Sequence, residues 1–207
     1  MSEENFKFAA IFLTGFLAFF YFLQTALNFN PAYNAFNSPI YNYFLSIFGH
    51  ANLNHLFNNM FFIGLFGSIF EKLTDAKTIL ATFILSGLFA NLSAFLFFPN
   101  SYIIGASGGA MGILAALAIY RPNKIGIVLG IPAPMYMVLL GYIIINLVGL
   151  SAATNVAYEA HLFGIVIGSI IGYRLRKKPF INQKEDNENA SEWEKTIERW
   201  EEKYMKN

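Results

Sequence analysis

The chain contains no cysteine, which excludes disulfide staples, thiolate metal sites and cysteine nucleophiles and leaves the redox compartment undetermined. Charge is scarce. Only 13% of the 207 residues are Asp, Glu, Lys or Arg, against about 25% in an ordinary soluble domain. A formal net charge of +1 offers no electrostatic reason to expect nucleic acid as a partner. There are three histidines and no His-Glu-x-x-His run, so the helix signature of a zinc protease is missing. No solenoid-type repeat or low-complexity tract interrupts the sequence. Nor does the start resemble a cleavable signal peptide followed by a soluble body, so the N-terminal apolar stretch is expected to stay attached. What fills the chain instead is apolar: 56% hydrophobic and 17% aromatic residues, with a mean hydropathy of +0.46. Membrane residence follows.

The few charges fall in short windows: Glu3 to Lys7, Glu71 to Lys77, Arg121 to Lys124, the lone Glu159, and the region from Arg174 onward. Between them lie uncharged stretches long enough for one or two crossings, since a helix needs roughly 20 apolar residues to span about 30 Å of hydrocarbon. Turn residues divide these stretches at 28–39, 99–101, 132–134 and 151–155. The expected helices are 7–27, 53–70, 76–97, 105–120, 135–150 and 157–173. The predicted architecture is therefore all-α, a polytopic bundle of six transmembrane helices over residues 1–178, followed by a charged tail over 179–207. All 14 Lys and Arg residues lie in the N-terminal segment, in the loops after spans two and four, or in the tail. By the positive-inside rule both termini are cytoplasmic, and spans two, four and six run from outside to inside. In the tail, Ser191 and Glu194 form a possible capping box. Trp193, Ile197, Trp200 and Tyr204 share one helical face, which suits a solvated appendage at least as well as a docking helix.

Polar groups at membrane depth are candidates for function because lipid penalises them. His50 and His55 sit at the outer end of span two, His161 at the outer end of span six, and Ser107 opens span four within Gly105-Ala106-Ser107-Gly108-Gly109. Ser107 lies 14 residues before Arg121, His161 13 before Arg174, and Asn59 13 before Lys72. At 1.5 Å per residue each is ~20 Å above its first cytoplasmic charge. The three therefore share a level ~10 Å below the outer surface of the hydrocarbon. Gly164, Gly168 and Gly172 repeat every four residues on span six, and Gly108 and Gly112 do so on span four, a spacing that lets helices approach closely. His55 and Asn59 are i and i+4 on one face, while His50 falls off that face or in the preceding loop. A serine hydroxyl needs a base, and neutral imidazole is the usual one near pH 7. Glu159 is two residues from His161, about 200° around the helix, so a Ser107–His161 dyad is expected rather than a triad. The side chains of Asn59 and His55, with the Ser107 backbone N–H, are available as oxyanion donors.

The run His50-Ala51-Asn52-Leu53-Asn54-His55-Leu56-Phe57-Asn58-Asn59, then Gly105-Ala106-Ser107-Gly108, then Ala160-His161-Leu162-Phe163-Gly164 resembles the rhomboid family of intramembrane proteases. The resemblance covers roughly residues 40–173 and follows the family's span order of two, four and six. It implies catalysis by Ser107 and His161, an oxyanion hole built from His55 and Asn59, and support from His50, Gly105 and Gly108. It also implies membrane-protein substrates, single-span or polytopic, in the lipid bilayer, with no cofactor, metal or nucleic acid. The family's tyrosine four residues after the nucleophile is Met111 here, so a sulfur contact is expected to support His161. The Trp-Arg pair that many members carry in the first outer loop is missing. The expected setting is a prokaryotic cell membrane. Two other readings compete: a non-catalytic rhomboid-like protein that binds transmembrane helices, and a metal transporter using His50, His55, Asn59 and His161. The second lacks the embedded carboxylate or thiolate that a metal path normally collects.

A substrate helix hides its scissile carbonyls in intrahelical hydrogen bonds, and opening them in lipid costs several kcal/mol per group. The resemblance places the lateral entrance beside span five, whose start, preceded by Pro132 and Pro134, is expected to be loosely tied. Glycine and proline weaken a helix by roughly 1 and 3 kcal/mol relative to alanine, so cleaved segments should carry them near their outer end. Replacing them with leucine in a cleaved substrate is expected to slow cleavage, measured in membranes alongside binding; equal cleavage of both segments would show that unwinding does not control selection.

Overall fold

The computed structural model describes residues 8–97, 101–128, 130–151 and 156–177. Apart from Lys177 these belong to one compact unit, Glu4–Arg176. The amphipathic helix expected in the tail lies outside the described residues. In chain order the helices are α1 (Ala9–Ala26), α2 (Ile40–Leu45), α3 (Leu53–Phe62), α4 (Ser68–Leu73), α5 (Ala76–Phe97), α6 (Ser107–Tyr120), α7 (Met135–Gly149) and α8 (Tyr158–Lys177). A π-helical turn at Ile63–Gly67 joins α3 to α4, so 53–73 is one continuous helical run. The six long runs follow the expected ranges closely at their starts. At its end, α8 continues to Lys177 through Arg174 and Arg176. Among the described residues only α1 and α5 are by themselves both long and apolar enough to cross a membrane, while α6 and α7 are shorter apolar helices.

Helix α6 is the axis of the bundle. Every residue from Gly108 to Ala118 is buried, as expected for a helix that is apolar all round. One side of it meets α5: a Cβ on Gly109 would strike Phe83, and one on Gly112 would strike Ser86. The other side meets α8 backbone to backbone. A Cβ on Gly164 would strike the carbonyl of Gly108, one on Gly168 that of Gly112, and one on Gly172 that of Ala116. Each of these pairs is 56 residues apart, so α6 and α8 run parallel in constant register. Close approach through small residues is how helices associate where lipid removes the hydrophobic drive between them. The outward faces of α1, α7 and α8 are correspondingly apolar, with Phe12, Phe19, Leu140, Val148, Val166 and Ile170 exposed.

Two features differ from the expectation. The segment before α7 is an antiparallel hairpin, β1 (Ile125–Val128) with β2 (Ile131–Pro134), in which Pro134 faces Ile125 and Pro132 faces Ile127. Prolines are tolerated there because each strand of a two-stranded ribbon has a free edge. The start of α7 is consequently held, with Met135 N–H donating to the Lys124 carbonyl at 2.8 Å and Tyr136 N–H to that of Pro122 at 3.1 Å. It is not loosely tied. The second feature is Glu71, which is fully buried in α4. Its carboxylate accepts from the N–H groups of Ala9 and Ala10 at 2.9 and 3.0 Å, an anion at the otherwise uncapped N-terminus of α1, where the helix dipole favours it.

If the α6–α8 contact sets the register, Gly168→Val should force the backbones apart. The expected loss is about 3 kcal/mol, the upper end of ordinary overpacking, read as reduced thermal stability in detergent by circular dichroism. An unchanged midpoint would show that this face tolerates a Cβ.

Candidate functional site

Helix α3 opens on Asn52, whose side chain accepts from the His55 N–H at 2.9 Å, an ordinary N-cap that fixes where the helix begins. Its register then puts His55 and Asn59 on one face. His55 packs over Gly105, where a Cβ would collide with the imidazole ring. Gly105 also has φ +137°, a conformation that only glycine adopts readily. Its N–H donates to the Ser46 carbonyl at 2.9 Å, which ties the segment entering α6 to the loop between α2 and α3. Ser107 is the first residue of α6, after Ala106, which provides no side-chain cap. The N–H groups of that first turn therefore have no intrahelical acceptor.

Ser107, His161, His55 and Asn59 line a single cavity of about 540 Å³, together with Met111 and Asn58. Asn59 is buried, and its Nδ2, a donor, has no hydrogen-bond partner. A buried donor left unpaired costs free energy, and the residue that carries this one lines the cavity. Ser107 and His161 are half-buried. No hydrogen bond joins them among the described residues, which is common for catalytic pairs before substrate tightens the site.

His50 lies in the loop before Asn52, fully buried, and does not line the cavity. Its N–H and carbonyl are both bound by the Gln24 side chain, at 3.1 and 2.7 Å. Its Nδ1 is 3.1 Å from the Phe48 carbonyl, and since a carbonyl only accepts, Nδ1 carries the proton. The ring stands edge-on to His55 at 5.1 Å between centroids. It thus braces His55 from behind.

His161 has a partner that sequence reasoning missed. Its Nδ1 is 2.7 Å from Oδ1 of Asn146 on α7, a residue that is itself buried. The structure gives His161 a direct hydrogen bond from a different helix, while Met111, the residue expected to support it, lines the same cavity. An asparagine within an uncharged span was a signal of the kind used for Asn59.

A family profile for the Rhomboid domain matches residues 37–178. The chain belongs to the rhomboid family. Rhomboids are polytopic helical bundles in the membrane, and this chain is accordingly an integral membrane protein. It is similar to "Rhomboid-like protein 11, chloroplastic" of Arabidopsis thaliana, at 28% identity over 73% of this chain and 58% of that protein. It is also similar to "Putative rhomboid protease YdcA" of Bacillus subtilis (strain 168), at 26% identity over 60% of this chain and 61% of that protein. The matched region thus spans about three-fifths of either relative's length. A plant organelle and a bacterium are both represented, so these relatives do not narrow the rhomboid to a prokaryotic membrane.

If the unpaired Asn59 amide meets an oxyanion, Asn59→Ala should lower kcat for a model substrate by about 10²- to 10³-fold, the measured worth of such a donor elsewhere. KM should change little, because the interaction forms in the transition state. A change confined to KM would assign Asn59 to substrate binding instead.

Proposed function

We propose that this rhomboid is an intramembrane serine endopeptidase that cleaves transmembrane segments of other membrane proteins near the outer face of the bilayer. The observation that carries the reading is the single cavity shared by Ser107, His161, His55 and Asn59, contributed by α3, α6 and α8. In this reading the chain crosses the membrane six times, with α1, the α3–α4 run, α5, α6, α7 and α8 as the crossings and both termini cytoplasmic. The shorter α6 suits a site that must stop below the surface and admit water.

Attack by the Ser107 Oγ on the scissile carbonyl forms a tetrahedral intermediate while His161 takes the hydroxyl proton. The oxyanion is met by Asn59 Nδ2, by the His55 ring and by the Ser107 N–H at the start of α6. His161 returns the proton to the departing amine. Water, activated by the same imidazole, then releases the acyl group and restores Ser107.

Labelling of the detergent-solubilised protein by a fluorophosphonate separates proteolytic chemistry from non-catalytic binding of transmembrane helices. The wild type should label and Ser107→Ala should not. Ser107→Ala and His161→Ala should each reduce cleavage of a single-span substrate by at least about 10⁴-fold, because nucleophile and base act as a unit. Full activity in either variant would remove the assignment.

A further inference from the structure

We infer that Asn146 is a positioning residue that sets the tautomer and orientation of His161, an inference resting on the reading of His161 as the general base. The geometry permits a short chain of deductions. Asn146 Nδ2 lies 2.7 Å from the Tyr142 carbonyl one turn earlier on α7. A carbonyl accepts only, so the amide nitrogen must face it and Oδ1 must face His161. Oδ1 in turn can only accept, so His161 Nδ1 carries the proton. Its Nε2 is left with the lone pair, the form a base needs. One backbone carbonyl on α7 therefore dictates which nitrogen of an imidazole on α8 is basic.

The pairing of the two helices is supported independently. Gly149, one turn beyond Asn146, leaves room for the ring of Tyr158, where a Cβ would collide. That ring stands edge-on to His161, with centroids 6.1 Å apart at 83°. Asn146 and Gly149 on α7 thus meet His161 and Tyr158 on α8, both pairs spaced i and i+3. Asn146 does not line the cavity, so its effect must pass through His161 rather than through substrate contact.

The experiment compares wild type with Asn146→Leu and Asn146→Asp in detergent, using kcat and KM for a model substrate and the ring ¹⁵N spectrum of His161. Leucine removes the acceptor at similar volume; aspartate keeps it. Asn146→Leu should lose about 10²- to 10⁴-fold in kcat, the range spanned by a mis-set catalytic histidine, with KM nearly unchanged. Its His161 should lose the single Nδ1–H tautomer expected in the wild type. Asn146→Asp should recover most of kcat and retain Nδ1–H. Wild-type kcat and tautomer in the leucine variant would overturn the inference. So would a loss of kcat with the tautomer intact, or an aspartate variant as poor as leucine. Failure of the wild type to label or cleave would overturn the protease reading, and the ¹⁵N spectra would then decide the Asn146–His161 bond by themselves. If the leucine variant does not fold, the wild-type spectrum and the aspartate variant's kcat carry the same decision.

Discussion

The backbone contact between α6 and α8 is the constraint on which the site depends. Three glycines of α8 face Gly108, Gly112 and Ala116 in constant register, so the sliding position of one helix against the other is fixed at three points. Ser107 is one residue from the first of these pairs and His161 is three residues from it. The proposed nucleophile and base are therefore located by packing that contains no polar atom of either side chain. In lipid this is an effective way to fix a geometry, since dispersion contacts along closely apposed backbones need no solvent to enforce them.

The loop that carries His50 into α3 is irregular backbone in an integral membrane protein, which is tolerated at membrane depth only when its polar groups are satisfied within the protein. The structure meets that condition with amides and hydroxyls borrowed from the helices. Gln24 of α1 binds both backbone groups of His50. Asn91 of α5 donates to the Tyr43 carbonyl at 2.6 Å and to the Ser46 hydroxyl at 2.8 Å. Tyr43 donates to the Leu88 carbonyl at 2.6 Å, and an isolated bridge pairs Tyr33 with Ile103. The chain entering α6 is thus tied to the first loop at Ile103 and Gly105. This brings Ser107 to the face of α3 that bears His55 and Asn59.

Much of this was legible in the sequence because the physics is one-dimensional. Helix ranges followed from uncharged length and turn residues, and the relative level of residues on neighbouring helices followed from counting residues to the nearest charge. The level deduced for Ser107 and His161 implied an offset of 54 residues between the spans (161 − 107), against the 56 observed in the glycine pairs, a difference worth ~3 Å of helix rise. The parts that were not legible depend on lateral neighbours. Glu71 reads as a boundary charge, yet it caps α1, 61 residues earlier. The hairpin at 125–134 was hidden because two prolines read as a loose turn. Asn146 sits at no special distance from any charge, so only the rotation of α7 against α8 reveals what it meets.

That the partner of His161 is an amide rather than a carboxylate fits the solvent. A carboxylate in low dielectric is costly unless paired, and until a proton arrives the imidazole beside it is neutral. An amide avoids that cost in the resting state, and with its nitrogen already engaged by the Tyr142 carbonyl it has one orientation in which to accept. It orients the ring as a carboxylate would but stabilises the imidazolium less, through a dipole rather than a full charge. In the proposed mechanism the burden of stabilising charge then shifts toward the oxyanion donors, which there are the unpaired Asn59 amide, the His55 ring and the Ser107 N–H at the start of α6. A site of this design places its electrostatics on the substrate side of the reaction and keeps the base side neutral, the arrangement that lipid penalises least.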